Sequence, residues 1–137
     1  MKKKTILSLL CILVLLAVIF LPRDLTDRDA VVSVYSRSAG LFRRAAESGD
    51  FERLARLFGV KSVTVVKAGE ETEADILCGS RGALRYGILY SRSLDPAASP
   101  GVWAAEGPGY RMKDPAGGGE TYCEPLGNGY FYYEKKD

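Results

Sequence analysis

The chain has 137 residues, with 19 lysines and arginines against 17 aspartates and glutamates, and it contains no histidine. The missing imidazole excludes Ser-His and Cys-His nucleophilic pairs and every histidine metal site. When the three N-terminal lysines are left out, 16 basic residues remain against 17 acidic residues. The rest of the chain therefore has no basic excess for binding nucleic acid. About 115 residues follow Pro22, which is enough for one compact domain.

Residues 6–21 form the most apolar stretch, with no charge and with Ser8 as the only polar side chain. As a helix, sixteen residues span about 24 Å, against about 30 Å for a bilayer core. The stretch therefore predicts a transmembrane signal anchor within residues 1–22, slightly short and aided by the lysine stems. A cleaved signal peptide is the alternative, but no pair of small residues spaced two apart marks a cleavage site near Ala17.

The charges around this stretch predict its orientation. Lys2, Lys3 and Lys4 precede it, whereas the following segment, residues 23–29, carries two arginines and three aspartates. The positive-inside rule places the N-terminus in the cytoplasm. We therefore expect a single-pass protein of the cell membrane, with residues 23–29 as a short tether and residues 30–137 as an extracytoplasmic domain.

Two helices are predicted at the start of the domain. Residues 31–35 are rich in β-branched side chains and are compatible with a strand, but apolar residues recur at helical spacing from Val31 to Ala45, which favours a helix between Ala30 and Gly49 that is weakest at Gly40. Asp27 or Asp29 is suited to cap its start, and Gly49 to end it. A second, shorter helix is expected after Asp50 and before Gly59.

Past residue 59 the apolar pattern changes to alternation, which is typical of strands separated by glycine turns. Gly87 marks a bulge or a close backbone approach within the third strand. Helices followed by five to seven antiparallel strands indicate an α+β fold, with two short helices packed on one face of a β-meander. The predicted strands cover residues 60–66, 73–78, 83–91, 102–105, 110–113, 121–123 and 130–134.

Seven of the eight tyrosines fall in the strand region. Tyrosine suits strands, so a structural role is favoured, while an aromatic binding face for glycan or peptide is the functional alternative. The candidates for such a face are Tyr86, Tyr90, Tyr130 and Tyr132.

Cys78 and Cys123 are the two cysteines of the domain, and Cys11 lies in the predicted anchor. An extracytoplasmic location permits a disulfide between Cys78 and Cys123. The alternative, equally open from the sequence, is two buried thiols in strands.

Carboxylates are the remaining candidates for catalysis. Glu70, Glu71, Glu73 and Asp75 cluster around a predicted turn, where a solvated acidic hairpin is the favoured interpretation over a general acid/base or calcium site. A small glycan hydrolase would require two acids converging in one cleft, drawn from Glu73, Asp75, Glu106 and Glu120. The sequence carries no motif for a catalytic, cofactor-binding or metal site.

Several aromatic and glycine positions recur in a known pattern. The run Cys78-Gly79, the strand from Tyr86 to Ser91, the loop at Asp95-Pro96 and the strand from Tyr130 to Glu134 together resemble a family of small, uncharacterised, N-terminally anchored Firmicutes proteins. That family has a "YGFYYS" strand and a "YYYE" C-terminal strand, and this chain departs from it at Ile88-Leu89. The resemblance implies a membrane anchor but carries over no functional residues.

These observations favour a non-enzymatic, membrane-tethered domain that binds an envelope protein or a cell-wall polymer, without a cofactor and without nucleic acid. Two alternatives stay open. The first is a small carboxylate-dependent envelope enzyme. The second is a structural accessory whose anchor contacts a larger membrane complex.

Overall fold

The computed structural model describes residues 2–20 and 24–137, apart from the side chains of residues 18–20 and 68. Residues 21–23, which hold the end of the predicted anchor and the start of the predicted tether, lie outside the described residues. The fold is α+β, as predicted: helices lie on one face of a single antiparallel sheet of seven strands.

The first helix, α1 (Lys2–Phe20), contains the apolar stretch from Ile6 to Phe20. Its large apolar side chains from Ile6 to Leu16 are between 44% and 65% exposed, so they are not part of the core of the domain. Among the helices in the described part of the chain, none is both long and apolar enough to qualify as a membrane-crossing span.

Two helices replace the single helix predicted between Ala30 and Gly49. They are α2 (Arg28–Arg37) and α3 (Ala39–Ser48), and the break falls at Ser38 rather than at Gly40. Ser38 donates its N–H to Tyr35 O, while its own carbonyl accepts the N–H of Leu41 and of Phe42. Serine and glycine are weak helix formers, and the segment Ser36 to Gly40 holds three of them, so the helix stops and restarts there.

The ends of these helices follow the sequence in part. Gly49 ends α3 in the left-handed conformation, with φ of 77°, as its position predicted. Asp27 and Asp50 occupy the predicted N-cap positions, but neither side chain makes a capping hydrogen bond. The second predicted helix is a 3₁₀ helix, Phe51–Arg56.

The strands agree with the predicted number and differ in length. They are β1 (Ser62–Ala68), β2 (Glu71–Arg81), β3 (Leu84–Tyr90), β4 (Ala104–Glu106), β5 (Gly109–Lys113), β6 (Glu120–Gly127) and β7 (Tyr130–Lys136).

The sheet is not a simple meander, because its strand order is β1-β2-β3-β7-β6-β5-β4. The last strand lies in the middle, between β3 and β6, and is antiparallel to both. The chain therefore leaves the centre of the sheet after β3 and returns at the far edge in β4. Residues 91–103 make this crossing and include a short 3₁₀ helix, Pro96–Ala98.

One face of the sheet, the helix-covered face, carries the main core. Alternate residues of β2 and β3, such as Ile76 and Ile88, are fully buried against Val31 of α2 and Phe42 of α3. The centre of this core is Tyr130, whose ring lies 5.0–5.6 Å from three other aromatic rings and whose hydroxyl donates to Phe42 O at 2.6 Å. The opposite face of the sheet, the open face, carries a smaller cluster around Trp103, Cys123 and Phe131.

The segment predicted as a short tether, residues 23–29, lies against the domain from residue 24 onward. Asp24 pairs with Lys61, and the N–H of Leu25 donates to Cys78 O at 3.1 Å. At the start of α2, the Arg28 guanidinium donates two bonds to the Glu124 carboxylate of β6. The guanidinium lowers the pKa of this largely buried carboxyl, although burial opposes it.

Candidate functional site

The open face of the sheet holds a polar network that depends on Gly87. A Cβ at Gly87 would lie 2.8 Å from the Tyr133 ring and hydroxyl, so only glycine leaves room for this ring to extend over β3. The Tyr133 hydroxyl reaches across β3 and donates to Asp75 on β2. The other Asp75 oxygen lies 3.5 Å from the Arg85 guanidinium. The predicted close approach at Gly87 is therefore confirmed, and it connects three strands.

A second polar contact fixes the start of the crossing segment, residues 91–103. The hydroxyl of Ser91 donates to the Glu73 carboxylate at 3.1 Å and accepts the N–H of Leu94 at 3.3 Å. Ser91 is only 2% exposed, so its hydroxyl is not an accessible nucleophile. These bonds direct Leu94 onto the open face.

Both ends of the crossing segment contribute apolar side chains to the open face. Leu94 and Trp103 pack with Cys123 of β6, Phe131 of β7 and Met112 of β5 in a second cluster, separate from the main core. Trp103 is the only tryptophan of the chain and retains 9% of its surface. The crossing segment thus covers part of a face that would otherwise be bare.

Between the crossing segment and the strands lies a pocket, the open-face pocket, with a volume of about 270 Å³. Its lining is mostly apolar and includes the carboxylates of Glu73 and Asp75 on β2 and the side chain of Lys135 on β7. A mostly apolar pocket with a few converging polar groups is the usual form of a small ligand site. The lining residues are Glu73, Asp75, Leu89, Ser91, Leu94, Trp103, Met112, Thr121, Cys123, Tyr133 and Lys135.

The four carboxylates considered for glycan hydrolysis do not converge. Glu73 and Asp75 line the open-face pocket. Glu106 and Glu120 both pair with Arg111, at 2.7 Å and 3.4 Å. Arg111 is opposite Tyr122 of the main core, so this group belongs to the other face of the sheet. Of these four carboxylates, Glu73 and Asp75 are the two that share the lining of the open-face pocket.

The rest of the acidic hairpin is solvated, as the sequence favoured. Glu70 and Glu71 are exposed at the turn between β1 and β2. Within residues 2–20 and 24–137, no three cysteine, aspartate or glutamate side chains are grouped so that they could hold a metal ion.

The four tyrosines proposed as an aromatic binding face do not form an accessible surface. Tyr86, Tyr90, Tyr130 and Tyr132 lie on the helix-covered face, with 8% of their surface exposed at most. Burial raises the pKa of Tyr130 and of Tyr132, whose hydroxyl also donates to Glu134. Their role is in the core, because their alternation along β3 and β7 matches the face that the helices cover.

The cysteines are free thiols rather than a disulfide. Cys78 belongs to the main core and Cys123 to the cluster on the open face. Strands β3 and β7 lie between them, which corresponds to about 14 Å at normal strand spacing, well beyond the roughly 4–7 Å between Cα atoms that a disulfide needs. Burial raises the pKa of Cys78 to about 12, with a smaller effect of the Asp75 charge, and that of Cys123 to about 11.

We predict that both domain cysteines resist thiol reagents in the folded protein. At pH 8 a thiol with a pKa near 11 is ionised to only about one part in a thousand, and the thiolate is the reactive form. Mass spectrometry after maleimide treatment should show Cys78 and Cys123 unmodified, and both modified in denaturant without any reductant. Modification that requires prior reduction would contradict the free-thiol state.

The sequence interpretation missed Trp103, Leu94 and Ser91. Trp103 was predicted in a strand, residues 102–105, whereas the structure starts that strand at Ala104; the single tryptophan was still a usable signal, because so large an apolar side chain is usually packed. The positions of Leu94 and Ser91 had no sequence signal, since they depend on the crossing of residues 91–103 to the far edge of the sheet.

Comparisons with protein-family models, with curated proteins and with solved structures found no match for this chain.

Proposed function

We propose that the protein is a non-enzymatic, single-pass membrane protein whose extracytoplasmic domain binds an envelope partner in the open-face pocket. The observation that carries the proposal is the pocket itself: a mostly apolar lining that includes Trp103, together with two carboxylates and Lys135. The proposal places residues 6–21 in the bilayer, with the lysine end in the cytoplasm.

The exposed apolar side chains of α1 support the membrane part of the proposal. A run of leucine, isoleucine and valine side chains, interrupted by Ser8 and Cys11 and about half exposed to solvent, is unfavourable in water, at roughly 25 cal/mol per Å² of apolar surface. Lipid would cover this surface. The resemblance to the anchored Firmicutes proteins is consistent with the same placement.

The chemistry of the pocket favours binding over catalysis. Asp75 is held by Tyr133 and Arg85, and Glu73 accepts the hydroxyl of Ser91, so both carboxylates act as acceptors in fixed networks. The thiol of Cys123 is buried and its pKa is raised by burial, which leaves it protonated at neutral pH. We infer a ligand with an apolar group for the apolar lining and with hydrogen-bond donors for Glu73 and Asp75, such as a segment of peptide or a cell-wall peptide stem.

Trp103 provides an intrinsic reporter for the test. The full chain in detergent is titrated with cell-wall glycan strands, with stem peptides and with extended peptides, while Trp103 fluorescence is recorded. We expect a saturable change for one of these ligands. Leu94→Glu places a charge in the pocket, so the affinity for this ligand should fall at least about tenfold, which corresponds to about 1.4 kcal/mol.

The control is Val66→Gln on β1, which adds a polar group without placing a second carboxylate beside Glu73. Val66 is 54% exposed and is paired opposite Glu73, so it lies on the open face but does not line the pocket. This variant should bind as the native chain does. A folded protein whose Trp103 signal is unchanged by every one of these ligands would contradict the binding proposal.

An enzyme remains the second candidate, because Glu73 and Asp75 share the pocket. Residues two apart on a strand have Cα atoms about 6.5–7 Å apart, which is compatible with the roughly 5–9 Å between the carboxylates of glycosidases. Hydrolysis of a glycan that is lost in Glu73→Gln, but kept in Glu71→Gln at the solvated turn, would favour this candidate.

A further inference from the structure

We propose that the domain is seated on the surface of the same bilayer that holds α1, with Phe58 inserted among the lipid headgroups. This inference rests on the proposed membrane anchor but not on the ligand of the open-face pocket. It concerns the opposite side of the domain, around α2 and the turn that precedes β1.

Phe58 is 68% exposed, more than any other large apolar side chain recorded for residues 24–137. The residues on either side of Phe58 are held in place by packing. Leu57 packs against the main core, and a Cβ at Gly59, whose φ is 91°, would lie 2.7 Å from the Leu25 side chain. Both neighbours face the domain, so the Phe58 ring is held outward.

The exposed ring belongs to a groove that also contains the start of the domain. Leu25, Val34 and Phe58 line this groove, which has a volume of about 370 Å³ and a mainly apolar surface. Leu25 is fixed by its hydrogen bond to Cys78, and Asp24 by its pair with Lys61. The groove is therefore at the place where the chain enters the domain.

The connection to α1 is short. Four peptide steps separate Phe20 from Asp24, and a fully extended chain covers at most about 14 Å over that distance. If α1 lies in lipid, the groove and Phe58 must be within reach of the headgroup region, which is several ångströms thick on each side of the hydrocarbon core. Aromatic side chains are enriched at that depth.

The charge at the groove indicates which lipids would fit. Arg37 lines the groove and is exposed, and Arg56 is exposed two residues before Phe58. An exposed aromatic ring with two arginines nearby suits a lipid surface, where phosphate groups cover the apolar acyl chains. Each cation near such a surface adds to the attraction by anionic lipid. The occupant that we assign to the groove is therefore an anionic lipid surface.

Depth-dependent fluorescence quenching tests the inference in the full chain, reconstituted in phosphatidylglycerol vesicles with brominated acyl chains. Phe58→Trp gives the chain a second tryptophan in addition to Trp103. The fluorescence of Trp103 is subtracted using the native chain. The matched control is Val102→Trp, since Val102 is 59% exposed but lies next to Trp103, near the far edge of the sheet. We expect a blue shift and quenching by bromine for Phe58→Trp, and neither for Val102→Trp.

Charge is tested in the same vesicles. Quenching of Phe58→Trp should decrease when phosphatidylcholine replaces phosphatidylglycerol, and when Arg37→Gln is added. It should not decrease with Lys113→Gln, an exposed residue at the end of β5.

The outcomes separate the two proposals. If the chain floats with the vesicles but Phe58→Trp is not quenched, or is quenched no more than Val102→Trp, the seating is refuted and the anchor stands. A blue shift without bromine quenching would mean a protein in the groove and would also refute it. If the chain does not float with the vesicles at all, the anchor fails and the seating fails with it.

Discussion

Replacing Tyr130 with alanine is expected to lower the free energy of unfolding by about 3–5 kcal/mol, as for other large aromatic residues removed from a core. Tyr130 is 1% exposed, and its ring contacts Tyr35 of α2, Phe42 of α3 and Tyr90 of β3. These partners are far apart in sequence, so the cavity would lie between both helices and the middle of the sheet. Against a typical total of 5–15 kcal/mol, such a loss would leave little of the native stability.

Chemical denaturation of the full chain in detergent, followed by Trp103 fluorescence, measures this effect. Tyr130→Phe separates the hydroxyl from the ring, because it removes only the hydrogen bond to Phe42 O. This variant should lose about 1 kcal/mol. The control is Tyr110→Ala, since Tyr110 is only half-buried beside the smaller cluster of the open face. If Tyr130→Ala lowers the free energy of unfolding no more than Tyr110→Ala does, Tyr130 is not the centre of the main core.

The strands could be predicted because their pattern is local. Alternation of apolar and polar residues between glycine turns marks each strand within a few residues of its position. The pairing of β3 with β7 could not be predicted in this way. It joins residues forty or more positions apart, and the sequence between them contains no signal for which strand occupies the centre. The predicted meander is the simplest order, and the structure departs from it at this one pairing.

The same dependence on strand pairing explains why the candidate site could not be predicted from the sequence. Tyr132 and Tyr133 are neighbours in sequence, yet Tyr132 is in the main core and Tyr133 donates to Asp75 on the open face. Composition identifies both as strand residues, but only the register and the covered face determine which one is in the core. The aromatic binding face was therefore assigned to four tyrosines that the helices bury, whereas the accessible pocket depends on a loop without periodicity.

The break between α2 and α3 shows a finer limit. The apolar spacing continues from Val31 through Phe42 to Ala45, so it predicted a single helix. The face predicted to pack on the sheet was correct, although the helix is divided in two. Periodicity does not report where a helix is interrupted, because a stop followed by a restart can keep the same apolar face. Gly40 was predicted as the weak point from its low propensity, but the carbonyl of Ser38 begins the new helix.

Gly79→Ala is expected to destabilise the domain by about 1–3 kcal/mol, the usual range for an added methyl group in a filled site. A Cβ at Gly79 would lie 2.6 Å from the nitrogen and 2.8 Å from the carbonyl carbon of Leu25. Both are backbone atoms, so no side chain can rotate away to accept the methyl group. Either β2 shifts, at a bulge between Leu77 and Gly79 that already interrupts its register, or residues 24 and 25 detach from the sheet.

Hydrogen exchange distinguishes these responses, because the Leu25 amide donates to Cys78 O in the native chain. Detachment should raise the exchange rate of this amide well above that of the Ile76 and Ile88 amides in the centre of the sheet. The matched control is Gly40→Ala in α3, where a Cβ meets no atom within 4 Å. The same substitution there should stabilise the protein by about 0.5–1 kcal/mol, because alanine is the better helix former. Equal effects at the two glycines would contradict the packing of Leu25 on β2, and with it the reason for placing the groove of Phe58 at the entrance to the domain.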